Sequence, residues 1–314
     1  MKKMLAVVGP TASGKSDLAI EICKKFCGEV ISCDSMQIYK RMNIGTAKPS
    51  VDEMQGIAHH LLDFLEPGTD YSVSDYVADA DRCVHDLWSR GVLPVFCGGT
   101  GLYIDSYISG FEFSEFENDP SVRKRIENEF SVSGIEPIYE KLKSIDPESA
   151  ESIDIHNVKR VIRALEVYET TGITISEWNR RSKLNAKKKD CLIIGLDYKN
   201  RETLYSRIDA RVDLMLDMGL INEAKSLYDD GLMSTRTASQ AIAYKEFIPY
   251  FNGEDTIENC VEILKRNSRR YAKRQLTWFR RNKDIKWIFK DEKDGKEILS
   301  EALNMVNAYL AEEN

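Results

Sequence analysis

A P-loop NTPase-like α/β core, with a parallel sheet and an all-helical insertion domain, is predicted for this 314-residue chain by three observations. The apolar run Met4–Val8 leads directly into Gly9-Pro10-Thr11-Ala12-Ser13-Gly14-Lys15-Ser16, a G-x-x-x-x-G-K-[ST] loop that opens a helix. Short apolar strands then alternate with amphipathic helices, the pattern of a parallel sheet covered by helices. Between residues 115 and 189 the strand-like runs stop and only helical periodicity remains. The core is therefore read as 1–114 with 190–314, and the insertion as 115–189.

Each element has its own signal. Lys3–Val8 reads as a buried strand, the next helix runs from about Gly14 to Phe26, and Glu29–Cys33 is a second strand. Ser74–Arg90 places Tyr76, Val77, Ala80, Val84 and Leu87 near one helical face, and Val92–Cys97 is a third strand running into Gly98-Gly99. Asp119-Pro120 is a helix start, a capping residue followed by proline in the first turn. Val158, Val161, Ile162, Leu165 and Tyr168 define a helix that stops before Gly172, and a basic polar stretch, Arg180–Lys189, precedes a strand at Cys191–Leu196. A long helix over Thr256–Asn282, a strand at Ile285–Phe289 and a closing helix complete the core. Met215 and Met218 read as core positions of an amphipathic helix. On that helix Arg207 and Arg211 share one face and Asp209 and Asp213 another. The arginine face suits an ion-pair lattice or a diphosphate clamp equally.

Composition sets limits on function. With 42% hydrophobic and 30% charged residues the chain is an ordinary globular protein rather than a disordered one. No segment reaches the roughly 18 apolar residues of a membrane span, and the apolar run in MKKMLAVVGP is too short for a signal core. Seven cysteines without a Cys-x-x-Cys indicate reduced thiols, hence a cytoplasmic protein. His59-His60 has no carboxylate-His spacing to support a metal and is assigned to packing or hydrogen bonding.

The net charge of −7 argues on its face against a polyanionic partner. Resolved along the chain it hides nine Lys/Arg against one acid between Asn259 and Lys283, interleaved with Tyr271, Trp278 and Phe279. That suits a surface tracking a nucleic-acid backbone with stacking rings. Lys159, Arg160, Arg163 and the six cations of Arg180–Lys189 add to it, while acids gather at 112–119 and 146–154.

Three segments carry chemistry. The amides of the glycine loop, the helix N-terminus and Lys15 would cradle a phosphate chain, with the Ser16 hydroxyl able to ligate Mg²⁺. Asp34, at the end of the second strand, reads as a water-mediated Mg²⁺ ligand, a base for an incoming nucleophile, or a turn residue capping the strand. Gly98-Gly99-Thr100-Gly101 follows the third strand in the same way. Its Thr100 would face the same pocket, with glycines admitting a ligand, or simply form a tight turn.

Taken in order, GPTASGKS (9–16), DSMQIYKRMNIGTAKP (34–49), HHLLD (59–63), GGTGLYI (98–104), NVKRVIRALEVYETTG (157–172), QAIAYKE (240–246) and RRYAKRQLTWFR (269–280) resemble the tRNA dimethylallyltransferase, or tRNA isopentenyltransferase, family of the bacterial type. Ala243 departs from the family's usual glycine. The resemblance implies transfer of a dimethylallyl group from dimethylallyl diphosphate to N6 of the adenosine 3′ of the anticodon. In it Gly9, Pro10, Thr11, Ala12, Ser13, Gly14, Lys15 and Ser16, with Mg²⁺, hold the diphosphate, Thr11 lying near its bridging oxygen. Asp34 accepts a proton from the exocyclic amine or holds it, Thr100 orients the base, and Arg211 contacts the diphosphate.

The resemblance also implies that the helical insertion contacts the tRNA anticodon stem-loop. Asp34, Ser35, Met36, Gln37, Thr100, Gln240 and Tyr244 would meet the loop bases. Arg123, Lys159, Arg160, Arg163, Lys273, Arg274, Arg280 and Arg281 would hold the backbone. A monomer suffices. A P-loop kinase of a small molecule or nucleotide shares the loop and Asp34 but leaves the basic-aromatic helix without a purpose. An RNA-binding nucleotide switch without chemistry leaves Asp34 and Thr100 unexplained.

Overall fold

The computed structural model describes residues 3–110 and 119–312. The chain packs into two units, Met1–Ile108 with Lys189–Asn314, and Ser109–Lys188. In the first, β1 (Met4–Val8), α1 (Lys15–Phe26), β2 (Gly28–Ser32), α2 (Val51–Met54), β3 (His59–His60), α3 (Val73–Ser89), β4 (Leu93–Gly98) and α4 (Gly101–Ser109) come first. The second unit holds α5 (Pro120–Ser133), α6 (Ile135–Ile145), α7 (Pro147–Ser152), α8 (Val158–Thr171) and α9 (Ile175–Asn185). The first resumes with β5 (Cys191–Asp197), α10 (Arg201–Asp217), α11 (Leu220–Asp229), α12 (Ile248–Phe251), α13 (Ile257–Phe279), β6 (Lys286–Phe289) and α14 (Gly295–Ala311).

The strands form one parallel sheet in the order β3-β2-β4-β1-β5-β6. Because side chains alternate along a strand, β1 divides its apolar residues between two cores. Met4, Ala6 and Val8 pack with Tyr76, Val84 and Leu87 of α3 and with Tyr103 and Tyr107 of α4. Leu5 and Val7 pack with Leu18 and Ile22 of α1 and with Ala302 and Val306 of α14. A third cluster, including Ile38, Tyr39, Leu220, Tyr244, Phe247 and Leu264, supports the loops beyond the carboxyl ends of the strands. Strand order reverses direction at β1, with β4 on one side and β5 on the other, and a ligand crevice forms at such a switch point.

Several sequence-based limits shift. The strand read at Glu29–Cys33 is Gly28–Ser32, and that read at Val92–Cys97 is Leu93–Gly98. The two-residue β3 is too short to show a period, yet His59 and His60 pair with Val30 and Ile31. His60 Nε2 lies 2.7 Å from Glu29 Oε2, and His59 Nδ1 lies 2.9 Å from the Ile57 carbonyl oxygen. The basic stretch Arg180–Lys189 is helical as far as Asn185. Met218 is not a core residue: α10 ends at Asp217, leaving Met218 exposed at 60%. The boundary read at 114/115 lies outside the described residues, as does most of the acidic stretch 112–119.

The helical unit has its own core, in which Ile126, Ile138, Leu142, Val161, Ile162 and Leu165 are buried together. Asp119 caps α5 by accepting from the Ser121 N–H, ahead of Pro120 in the first turn. Gly172 ends α8 in the left-handed region at φ 71°. Among these apolar side chains Glu166 is buried, and its Oε2 accepts from Arg123 Nη1 at 3.1 Å and Arg163 Nη1 at 3.0 Å.

Truncating Ile138, which is fully buried, to alanine is expected to cost about 2–5 kcal/mol within this unit. Amide exchange checks it: α5, α6 and α8 should lose protection while β1, β4 and β5 keep theirs. Equal loss in the sheet would show that the helices have no core of their own.

Candidate active site

A cavity of about 250 Å³ opens at the carboxyl ends of β1, β2 and β4. Thr11, Lys15 and Ser16 enter it from the β1–α1 loop, Asp34, Ser35, Met36 and Gln37 from the turn after β2, and Cys97 and Gly98 from the end of β4. Opposite stand Ile208, Arg211, Val212 and Met215, spaced as one face of α10, and Leu264, Ser268, Tyr271, Arg274 and Gln275, spaced as one face of α13. Gly45, Thr46, Ala47 and the 240–245 segment complete the wall. Gly9 permits the loop to form: its φ is 153°, and a Cβ there would lie 2.6 Å from the Leu196 carbonyl oxygen.

The lining separates into a charged part and an apolar part. Lys15, Arg211, Lys245 and Arg274 supply four cations against one carboxylate, Asp34. Burial pulls the Lys15 amine below its usual range and does the same to the Arg211 guanidinium; neighbouring Arg211 lowers Lys15 further, and Asp34 counteracts the shift in both. Two desolvated cations, with exposed Lys245 and Arg274 beside them, call for an anion. Ile208, Val212, Met215, Ile242 and Leu264 form an apolar wall beside it.

Asp34 does two things at once. Its Oδ1 accepts from the Met36 N–H at 2.9 Å and the Gln37 N–H at 3.4 Å, an Asx-type turn. Its Oδ2 accepts no hydrogen bond from the described residues, and Asp34 lines the cavity together with Lys15 and Arg211. The Gln37 carboxamide donates to the Thr46 and Ala47 carbonyl oxygens, both at 3.0 Å, and so holds the 45–47 loop over the cavity.

The remaining sequence-based candidates sort differently. Gly9, Pro10, Ala12, Ser13 and Gly14 form the loop behind the lining; the Pro10 carbonyl oxygen accepts from Lys15 Nζ at 3.3 Å. Thr100 is set back from the cavity wall. Its hydroxyl accepts from the Ser35 N–H at 3.1 Å and lies near the Tyr271 hydroxyl, so it acts behind two lining residues. Tyr244 is buried in the third cluster with its hydroxyl on Glu223 Oε1 at 2.9 Å, away from any surface where a base could meet it. Gln240 lines the cavity.

The basic helix is also partly committed. Lys265 pairs with Asp213, Arg269 with Asp209, and Arg280 with Asp197, because α10 and β5 present acids to α13. The Asp209/Asp213 face of α10 is thus a docking face, while Arg211 turns to the cavity and Arg207 Nε donates to the Ala12 carbonyl oxygen at 3.3 Å. Phe279 is a buried core residue, and Trp278 donates to Asp105 Oδ2 at 2.5 Å, so neither ring is a free stacking platform. Arg281 lies over the Trp278 ring, and Lys273, Arg266 and Arg270 are exposed. In the helical unit Lys159 and Arg160 are exposed, whereas Arg123 and Arg163 are tied to Glu166.

The glycines of the 98–101 segment make room for protein, not for a ligand. A Cβ at Gly99 would meet Gln275 Nε2 at 2.0 Å, and one at Gly101 would meet the Trp278 ring at 2.2 Å. Residue-by-residue reading missed Tyr271, Gln275 and Lys245 as lining residues; the run QLTWFR contained the signal for Gln275. Ala243 has φ 87°, a left-handed conformation that favours glycine, stabilised here by its N–H donating to Glu246 Oε2 at 3.0 Å.

Among the described residues no three His, Cys, Asp or Glu converge as a metal cluster. The Ser16 hydroxyl is a single oxygen donor at the cavity, which fits Mg²⁺ held largely by water and phosphate.

Comparison with known proteins places this geometry. The IPP transferase family model matches residues 37–282. A tRNA dimethylallyltransferase of Acetivibrio thermocellus is 48% identical over 297 residues, covering 95% of both chains. That of Geobacillus thermodenitrificans is 48% identical over 287 residues, covering 91% of this chain and 90% of its own. The full-length tRNA isopentenylpyrophosphate transferase of Bacillus halodurans matches with a TM-score of 0.74 at 40% identity, over 99% of this chain and 97% of its own. A eukaryotic dimethylallyltransferase, solved in snapshots of its action on tRNA, matches with a TM-score of 0.86 at 29% identity, over 99% and 80%.

The cation surplus has a testable consequence. A lysine whose folded pKa lies below 10.5 carries its full desolvation cost below that folded pKa, and the cost fades as pH rises to 10.5. Lys15→Met should therefore stabilise the ligand-free protein at neutral pH, by a margin that shrinks in alkali, and weaken inorganic diphosphate binding by about 10- to 100-fold. Thermal melts and diphosphate titration check both; unchanged diphosphate affinity would remove Lys15 from the anion site.

Proposed function

The chain belongs to the IPP transferase family, and we propose that it is a tRNA dimethylallyltransferase that moves a dimethylallyl group from dimethylallyl diphosphate to N6 of the adenosine 3′ of a tRNA anticodon. One observation carries the reading: four cations and an apolar wall share a single small cavity with one open carboxylate oxygen. A diphosphate ester of a short hydrocarbon needs both surfaces side by side, whereas a phosphoryl acceptor has no use for the apolar one.

The residues divide the work. Lys15, Arg211 and the loop amides bind the diphosphate and meet the charge that grows on its oxygen as the carbon–oxygen bond breaks. Ser16 would hold Mg²⁺, which would supply further charge neutralisation on the diphosphate and leave Asp34 Oδ2 open to the amine. The Thr11 hydroxyl lies toward the bridging oxygen. Ile208, Val212, Met215 and Leu264 seat the hydrocarbon and exclude water from its first carbon. The adenine N6 forms the new carbon–nitrogen bond, and its proton passes to Asp34 Oδ2. Diphosphate leaves with the electron pair of the broken bond. Thr100 orients the base side of the site through Ser35 and Tyr271.

The adenine must leave its stack to enter such a cavity, at a cost of a few kcal/mol that is smallest in a single-stranded loop. That favours an anticodon loop. Ser35, Met36, Gln37 and Gln240 line the cavity and are placed to meet the loop bases, while Tyr244 acts only through Glu223. Lys273, Arg274, Arg281, Lys159 and Arg160 supply backbone contacts, Arg280 adds positive charge beside its Asp197 partner, and Arg123 and Arg163 hold the α8 surface through Glu166. A monomer suffices, acting where tRNA is found, in the cytoplasm. Among the described residues no helix is long and apolar enough to cross a membrane.

The test uses the protein with Mg²⁺, labelled dimethylallyl diphosphate and unmodified tRNA. Label should enter the RNA as N6-dimethylallyladenosine; γ-phosphate transfer from ATP to a small acceptor, with no label in RNA, would overturn the proposal. Asp34→Ala should lower kcat by about 10²- to 10⁴-fold while tRNA affinity changes little. A parallel fall in tRNA affinity would show that Asp34 binds the RNA rather than receiving the proton.

A further inference from the structure

Gln275 is buried at 5% exposure on α13, and its carboxamide is used at both ends. Its Oε1 accepts from the Thr11 N–H at 2.9 Å, and its Nε2 donates to the Gly99 carbonyl oxygen at 3.0 Å. The hydroxyl of Tyr271, one turn earlier, lies near the same carboxamide and Thr100. One side chain therefore joins the loop after β1, the loop after β4 and the helix that carries the exposed cations. We propose that Gln275 is a positioning residue for group transfer, fixing Thr11 so that its hydroxyl, not its amide, is presented to the donor's diphosphate.

The argument is one of donor accounting. In a phosphate loop the backbone N–H groups converge on the anion. Here the Thr11 N–H is already claimed by Gln275 and points out of the anion cradle, while the residue still lines the cavity. The side chain is what remains to Thr11 for contact with the donor. A methionine of the same length at 275 would leave the Thr11 N–H and the Gly99 carbonyl without their partner and free the loop to turn that N–H inward. The carboxamide lies close against Gly99, where a Cβ would come within 2.0 Å of Nε2.

The inference rests on the cavity being the donor site, and the experiment separates the two. Steady-state kinetics on Gln275→Met, Thr11→Val and the double variant form a cycle with labelled dimethylallyl diphosphate as the varied substrate. Each single variant should lose about 10²-fold in kcat/KM for the donor, the scale of a displacement near 1 Å, with tRNA affinity within about threefold of wild type. Because both changes remove the same contact, the double variant should be no more than about tenfold worse than either. A merely structural Gln275 gives multiplying losses and would overturn the proposal, as would donor kinetics within twofold of wild type or tRNA affinity falling in step with kcat/KM. Should Gln275→Met fail to fold, Gly99→Ala displaces the carboxamide without removing it and must reproduce the donor-side loss; donor kinetics within twofold of wild type there would equally overturn it. Wild-type protein that transfers no label would instead refute the proposed function itself.

Discussion

The hydrogen bonds of one carboxamide organise this site. Gln275 ties the Thr11 amide to the Gly99 carbonyl. Leaving such a buried donor or acceptor unmade costs about 1–3 kcal/mol each. The bond fixes more than two loops. Through it α13 is held at a set height above the sheet, which brings Tyr271 and Arg274 to the cavity and leaves Lys273 on the outside. Trp278, one turn further on, repeats the device by donating to Asp105 on α4.

Close docking of this kind explains the glycine-rich segment after β4 better than ligand access does. In sequence, Gly98-Gly99-Thr100-Gly101 reads as glycines admitting a ligand or as a tight turn. In the fold, Gly98 lies against the Cys33 backbone, Gly99 against Gln275 and Gly101 against Trp278. Small residues mark any close approach, and nothing local distinguishes a helix from a phosphate. The first loop differs because a lysine and a hydroxyl residue follow its last glycine, and that addition made Gly9–Ser16 readable from sequence.

Other parts divide along the same line between local and long-range information. The buried strands, the capped start at Asp119-Pro120 and the Asp34 turn were legible because their signals lie within a few residues. The helix carrying Met215 and Met218 was readable as amphipathic, but which surface it met was not, so Met218 was assigned to the core when the helix had already ended. Tyr244 and Thr100 were placed among base contacts by motif position; their hydroxyls instead serve Glu223, Ser35 and Tyr271, partners remote in sequence. The charge pattern was readable as segregation. Its partial neutralisation by Asp209, Asp213 and Asp197 needed the packing of α13 against α10 and β5.

What unites these features is a cavity in which positive charge, an apolar wall and an open carboxylate oxygen are held within reach of one another by α10 and α13. The most direct measurement is a crystal structure of the protein with inorganic diphosphate and an unmodified anticodon stem-loop. The account predicts diphosphate against Lys15 and Arg211, with an unstacked adenine whose N6 lies at Asp34 Oδ2 and whose path to the anion runs along Ile208 and Val212. Diphosphate bound elsewhere, or RNA seated with every loop base stacked and Asp34 facing water, would contradict it.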